Sequence, residues 1–166
     1  MAEARRSAAT SAALAKAVAG ARILIVEARY YDEIGDLLLA GAERAARDAG
    51  VATHVVSVPG ALEIAAAIAI CCDNAAEAGQ PFDGAVALGC IVRGETYHFE
   101  VVSNESARGL TDLALSDLLP IGNGILTVET DEQAIVRADP ARGDKGGDAM
   151  RAALALVALQ RQAGSH

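Results

Sequence analysis

A glycine-containing turn carries the first candidate chemistry in the sequence. The segment from Gly89 to Thr96 has the glycine spacing of a Walker A loop, but Glu95 stands where that loop has its lysine. Because the cation that contacts the β- and γ-phosphates is missing, the segment disfavours ATP hydrolysis. A strand, a glycine turn around Gly94 and the free N–H groups of a helix N-terminus remain, and they suit one small phosphate.

The positive charge for such a phosphate must come from another part of the chain. Arg137 and Lys145, in the C-terminal third, are the candidates. Solvated cations at helix ends would give the same pattern, so the spacing alone leaves both interpretations open.

His98 follows the glycine turn and is the candidate proton carrier. An imidazole titrates near neutrality and transfers protons without a metal. A histidine that caps or packs against a helix would have the same position, and this alternative stays open. His54 lies within a predicted strand and His166 is the last residue. No spacing among the three His and three Cys resembles a metal site, so we expect no metal.

Three other side chains are candidates for contacts with a ligand or for ordinary packing. Glu63 follows a Pro-Gly turn at the start of an apolar helix, where the helix dipole favours a carboxylate whatever its role. Tyr30 follows the first strand and could stack on a planar heterocycle or belong to the core or rim. Cys90 could line the site, but it has no base partner in the sequence, and Cys71 and Cys72 are predicted core thiols.

Alternating apolar patterns predict the elements that would position these residues. Buried strands are predicted over residues 23–26, 54–58, 84–92 and 124–128. Helices are predicted over 34–49, 61–72, from 99 to before Pro120, from a Thr130-x-x-Gln133 capping box toward Arg137, and over 146–162. This alternation implies an α/β sandwich with a mainly parallel sheet, whose sites lie outside the carboxyl ends of the strands.

Composition limits the class of protein. The 166 residues suit one compact domain, and a net charge of −8 argues against nucleic acid as a partner. The apolar positions of residues 1–20 are too few and too interrupted for a membrane span. This segment is predicted to be a flexible arm before a single domain, 21–166. The three cysteines are an odd number without disulfide-like spacing, which indicates the reducing environment of the cytoplasm. A mean hydropathy of +0.28 predicts that other subunits cover part of the surface.

Several of these segments together resemble one enzyme family, the 6,7-dimethyl-8-ribityllumazine synthases of riboflavin biosynthesis. The resemblance extends over residues 21–162 and is carried by residues 58–64, 89–100, 124–127, 132–134, 137 and 145–146. It implies a three-layer, flavodoxin-like sandwich with a four-stranded, mainly parallel sheet. It also implies homopentamers with active sites between adjacent subunits, and in some members capsids of pentamers.

The implied reaction condenses 5-amino-6-ribitylamino-uracil with 3,4-dihydroxy-2-butanone 4-phosphate, releasing phosphate and water without a metal or cofactor. The resemblance makes His98 the proton-transfer residue and Tyr30 the ring that stacks on the pyrimidine. The implied phosphate ligands are Gly94, Glu95, Thr96 and Arg137. The implied contacts of the ring and ribityl chain are Ala61, Leu62, Glu63, Cys90 and Ile91, with Lys145 near the phosphate or ribityl group.

Two positions depart from the family pattern. Asn123, which the resemblance assigns to the neighbouring subunit, stands where many members have a ring, and Tyr31 stands where many have Asn. Two other functions are therefore competing hypotheses. The first is a non-catalytic paralogue that stores or senses a flavin or lumazine, and the second is a riboflavin synthase that uses two lumazines.

Overall fold

Strands and helices alternate along the chain in the predicted order. The computed structural model describes residues 11–164. The strands are β1 (Arg22–Ala28), β2 (Ala52–Val58), β3 (Gly84–Val92) and β4 (Ile121–Val128). The helices are α1 (Asp32–Ala49), α2 (Ile64–Glu77), α3 (His98–Ser116), α4 (Asp131–Ala138) and α5 (Lys145–Ala163), with a 3₁₀ turn at Ala61–Glu63.

The sheet is parallel throughout, with the strand order β2-β1-β3-β4. Helices α1, α4 and α5 cover one face, and α2 and α3 cover the other. The predicted three-layer, flavodoxin-like α/β sandwich is therefore confirmed. Because all four strands are parallel, their carboxyl ends lie on the same side of the sheet, and so do the loops that follow them.

Side-chain alternation along β1 explains why its central residues, 23–26, are apolar without interruption. Ile23 and Ile25 lie in the core beneath α1 and α5, whereas Leu24 and Val26 lie in the core beneath α2 and α3. Successive side chains of a strand point to opposite faces, so the middle of a strand covered on both sides favours apolar residues at consecutive positions.

The predicted boundaries differ from the structure mainly around α2 and β4. The helix predicted from residue 61 begins with the 3₁₀ turn and becomes α-helical at Ile64, since the Pro-Gly turn first tightens the chain. Helix α2 buries Ile64 and Ile68 but leaves Ile70 60% exposed. Strand β4 begins at Ile121, earlier than predicted, because Gly122 extends its pairing with β3.

Two glycines allow α5 to lie directly against its neighbours. A Cβ at Gly122 would overlap the carbonyl oxygen of Ala149, and a Cβ at Gly146 would overlap that of Leu38. Only a residue without a side chain permits such an approach. The two contacts fix the start of α5 against β4 and α1.

The N-terminal part of the described chain lies against the core. Residues 11–17 are helical, Val18 is fully buried, and Arg161 donates hydrogen bonds to the carbonyl oxygens of Ala17 and Ala19 at 3.1 Å. The first ten residues of the predicted arm lie outside the described residues. Within residues 11–164, no helix has both the length and the apolarity needed to cross a membrane.

The predicted capping box opens α4. Thr130 Oγ1 accepts a hydrogen bond from the Gln133 N–H at 3.3 Å, and Gln133 Oε1 accepts one from the Glu129 N–H at 2.9 Å. The motif thereby satisfies a free N–H group of the first turn. It also fixes the short helix whose last turn carries Arg137.

Thr130→Ala is expected to lower the free energy of opening of the first turn of α4 by about 1 kcal/mol, because the Gln133 N–H loses its acceptor. Amide hydrogen exchange at Gln133 should then be about fivefold faster, provided that this turn opens locally. Thr130→Ser keeps the hydroxyl and is the matched control. Equal exchange rates in the two variants would show that the cap does not hold the turn.

Candidate active site

A pocket of about 360 Å³ opens at the carboxyl ends of β1, β2 and β3. It receives residues from the ends of β1 and β3, from the Pro59–Gly60 turn with the 3₁₀ helix, and from the start of α3. Seven of the predicted site residues line it: Tyr30, Ala61, Leu62, Glu63, Cys90, Ile91 and His98. The parallel sheet brings them together from four separate segments of the chain.

Two adjacent tyrosines form one wall of the pocket. The Tyr30 ring is 73% exposed and meets Tyr31 edge-on, with ring centroids 5.0 Å apart and an interplanar angle of 67°. Tyr31 packs partly against the core, and burial, with a smaller contribution from Asp131, raises the pKa of its phenol. The exposed face of Tyr30 is free to stack on a planar ligand.

His98 is the first residue of α3, so its position is fixed by the start of that helix. Its backbone N–H donates to Thr96 Oγ1 at 3.4 Å, and its side chain lines the pocket. The His98 imidazole and the Glu63 carboxylate of the lining can both exchange protons or hydrogen bonds with a polar ligand.

Arg93 supports the loop that contains Gly94, and the sequence prediction missed it. Its guanidinium donates to Glu129 at 2.7 Å and Glu100 at 2.5 Å, and it lies 4.1 Å from the centre of the Phe99 ring. The hydrogen bond from Arg93 lowers the pKa of Glu100. Arg93 follows β3, and its two carboxylate partners lie in α3 and directly after β4, so the two ion pairs join these three elements. The sequence signal was an Arg beside the glycine turn, with an acidic residue early in the next helix and another after the next strand.

The predicted phosphate ligands lie in two exposed segments, and none of them lines the first pocket. Gly94, Glu95 and Thr96 form an exposed turn after β3. Arg137 is exposed at the end of α4, where its Nη1 donates to the Gln133 carbonyl oxygen at 3.0 Å. Among residues 11–164, no Lys or Arg side chain lines the first pocket.

A second cavity, of about 330 Å³, contains two other predicted site residues. Asn123 and Lys145 line it between β4 and the start of α5. Asn123 Oδ1 accepts a hydrogen bond from the Ile125 N–H at 2.9 Å, and Lys145 Nζ pairs with Asp148 at 3.0 Å. The predicted site is thus divided between two separate concave surfaces of the same molecule.

Cys90 lines the first pocket as a neutral thiol. Burial, with a smaller contribution from Asp131, raises its pKa to about 11. A thiol is a nucleophile only as the thiolate, and the raised pKa keeps the proton on Cys90 throughout the neutral range.

Cys90→Ser should therefore retain kcat within about threefold from pH 6 to 9, because no thiolate contributes to the reaction. Steady-state rates across this pH range check the prediction. A wild-type rate that rises between pH 7 and 9, combined with a Cys90→Ser rate that does not, would contradict it.

The fold is an α/β sandwich with a pocket at its strand ends, and an exposed ring, a carboxylate and an imidazole line this pocket. The arrangement is typical of an enzyme that binds a planar polar small molecule. Residues 20–161 match the family of 6,7-dimethyl-8-ribityllumazine synthases. The chain belongs to this family, and the predicted assignment to an enzyme of riboflavin biosynthesis is confirmed.

Curated relatives resemble the chain over nearly its whole length. The 6,7-dimethyl-8-ribityllumazine synthase of Methylocella silvestris is 65% identical, over 89% of this chain and 90% of its own. The 6,7-dimethyl-8-ribityllumazine synthase 1 of Rhodopseudomonas palustris is 59% identical, over 87% and 89% respectively. The 6,7-dimethyl-8-ribityllumazine synthase of Methylorubrum populi is 54% identical, over 96% of this chain and 94% of its own. The family implies small-molecule substrates.

Proposed function

We propose that the first pocket condenses 5-amino-6-ribitylamino-uracil with 3,4-dihydroxy-2-butanone 4-phosphate. The observation that carries this proposal is the convergence of His98, Glu63 and the exposed Tyr30 ring on one pocket in a chain of this family. The Tyr30 ring would stack on the pyrimidine, and Glu63 would accept hydrogen bonds from the ribityl chain. Ala61, Leu62, Cys90 and Ile91 would complete the walls.

His98 has the role of the proton carrier in this proposal. Condensation of an amine with a ketone, loss of phosphate and ring closure all require protons to be removed at one atom and delivered at another. An imidazole at the pocket mouth can perform both transfers. The Gly94, Glu95 and Thr96 amides would hold the phosphate that leaves, with Arg137 supplying the charge.

The proposed assembly is a homopentamer, and the division of the predicted site into two surfaces supports a site shared between adjacent copies. A phosphate substrate needs a cation that the first pocket lacks within residues 11–164. In a ring of subunits, the second cavity, with Asn123 and Lys145, and the exposed Arg137 of one copy would meet the first pocket of the next. Exposed apolar side chains such as Ile70, Leu118 and Leu159 are available for such contacts.

We propose that each subunit works as one domain over residues 21–166, in the cytoplasm, with residues 1–20 as an N-terminal arm that packs against the core through Leu14, Ala17 and Val18. A thiol-bearing chain without disulfides is compatible with a reducing compartment: Cys71, Cys72 and Cys90 are all free. Sedimentation of the purified protein measures the number of subunits, and a monomer would contradict the shared site.

A spectroscopic turnover assay tests the activity. Purified protein with both substrates should produce the absorbance of a lumazine and one phosphate per turnover, and omission of either substrate should abolish both signals. Riboflavin formed from lumazine alone would instead indicate a riboflavin synthase. Tight flavin binding, measured by fluorescence quenching, without any turnover would indicate a binding paralogue and would overturn the proposal.

A further inference from the structure

Glu27 is an acidic side chain buried inside the protein, at the end of β1. It is 4% exposed and pairs in register with Ser57 of β2. Its Oε1 accepts hydrogen bonds from Ser57 Oγ and Arg29 Nε, both at 2.9 Å, while its Oε2 is buried and has no protein partner among the described residues. An incompletely satisfied buried carboxylate contributes little net stability, which suggests that its use is geometric.

Arg29 connects this carboxylate to the first turns of α1. Its Nη1 donates to Asp36 Oδ1 at 2.5 Å and to the Asp32 carbonyl oxygen at 3.4 Å. The Arg29 backbone N–H also donates to the Val58 carbonyl oxygen at 3.3 Å. Hydrogen bonds from the guanidinium to Asp36 and Glu27 raise its pKa further above its ordinary range, so the charge is permanent. Arg29 is thus tied to β1, β2 and α1.

Tyr30 has few contacts of its own that would fix its direction. It is the middle residue of the three that connect β1 to α1, and its exposed ring meets Tyr31 edge-on. On the far side of this connection, the Tyr31 carbonyl oxygen accepts a hydrogen bond from the Gly35 N–H at 2.9 Å. The backbone held by Arg29 therefore sets where the Tyr30 ring points.

We infer that Glu27 and Arg29 are positioning residues that hold the Tyr30 ring ready to stack on the planar substrate. This inference rests on the stacking role proposed for Tyr30. A ring held in place before binding loses less conformational freedom when the substrate arrives, so the pair acts on affinity for the ring substrate. Neither residue lines the pocket, which separates this role from contact with the substrate.

Steady-state kinetics of Arg29→Gln and Glu27→Gln test the inference. Both should raise KM for the ribitylamino-uracil about three- to tenfold, with kcat and KM for the butanone phosphate within about twofold. Arg29→Lys, which can keep one of the two ion pairs, should have an intermediate KM. Arg108→Gln is the matched control, because Arg108 also bridges two carboxylates, Glu105 and Asp112, but on the exposed side of α3.

A purely structural role predicts a different pattern. All kinetic parameters would change together, in parallel with a fall in Tm, and that result would overturn the inference. Asp36→Asn removes only the ion pair between Arg29 and Asp36, and its side chain is 70% exposed, so the substitution leaves the core unchanged. This variant therefore keeps the test valid if Arg29→Gln does not fold. It should raise the same KM by a smaller factor, and an unchanged KM in a folded Asp36→Asn and Arg29→Lys would also overturn the inference.

A second measurement needs no turnover. With 3-fluorotyrosine incorporated, the chain has three fluorine resonances, and Tyr30→Phe and Tyr97→Phe each assign one of them. In Arg29→Gln the Tyr30 resonance should shift and narrow while that of Tyr97 stays constant. An unmoved Tyr30 resonance would overturn the inference even in an active enzyme. A moved resonance in a protein without synthase activity would support the positioning role while contradicting the proposed function.

Discussion

His98→Asn is expected to lower kcat by about 10²- to 10⁴-fold, the usual contribution of a positioned proton carrier. KM for each substrate should stay within about threefold, because asparagine keeps a polar side chain of similar reach at the pocket wall. His98 begins α3, and the substitution leaves the backbone hydrogen bond to Thr96 in place. Lumazine absorbance under saturating substrates measures the loss.

His54→Asn is the matched control for this prediction. His54 is an exposed histidine on β2, stacked against Phe82 with ring centroids 6.0 Å apart, and it does not line the pocket. Its variant should keep the wild-type kcat. A loss at His98 smaller than about tenfold, or an equal loss at His54, would mean that proton transfer is performed by another group.

Mixed oligomers are expected to recover activity from two impaired variants. Arg137→Ala should reduce kcat/KM for the butanone phosphate by about 10- to 100-fold, since it removes a charge-assisted contact to the phosphate. When Arg137→Ala and His98→Asn subunits are co-expressed in equal amounts, about a quarter of the sites in a closed ring should combine an intact His98 with an intact Arg137 from the neighbour. Activity should therefore return to about a quarter of the wild-type value.

This recovery depends on the division of the site between two copies. Differently tagged subunits allow mixed oligomers to be purified, and assays at low butanone phosphate concentration make the Arg137 defect visible. Arg142→Ala, at an arginine that pairs with Asp139 within its own loop, controls for the loss of a surface charge nearby. Mixed oligomers no more active than the separate variants would show that His98 and Arg137 do not act in a shared site.

Local sequence signals predicted most of the fold. The β3 bounds coincide with the prediction because a continuous apolar run ends in a glycine turn, and Thr130 caps α4 through contacts within four residues. The start of α2 was less well predicted, because the sequence does not distinguish a 3₁₀ turn at Ala61 from the first turn of an α-helix.

The seven pocket residues were predictable because parallel strands end at a common edge, so residues that follow different strands must be neighbours. Arg93 was missed because its role depends on Glu100 and Glu129, which approach it only when α3 and β4 pack beside β3. The same limitation applies to Glu27, which the apolar pattern of β1 conceals.

The sequence by itself determined the type and order of the main elements, the cap of α4 and the residues that follow β1, β2 and β3, because these depend on contacts between near neighbours in the chain. Only the tertiary structure decided the strand order β2-β1-β3-β4, which makes β4 an edge strand. That order separates Asn123 and Lys145 from the pocket of His98, and it places Ser57 beside Glu27. Such pairings join residues far apart in sequence, so no local periodicity encodes them.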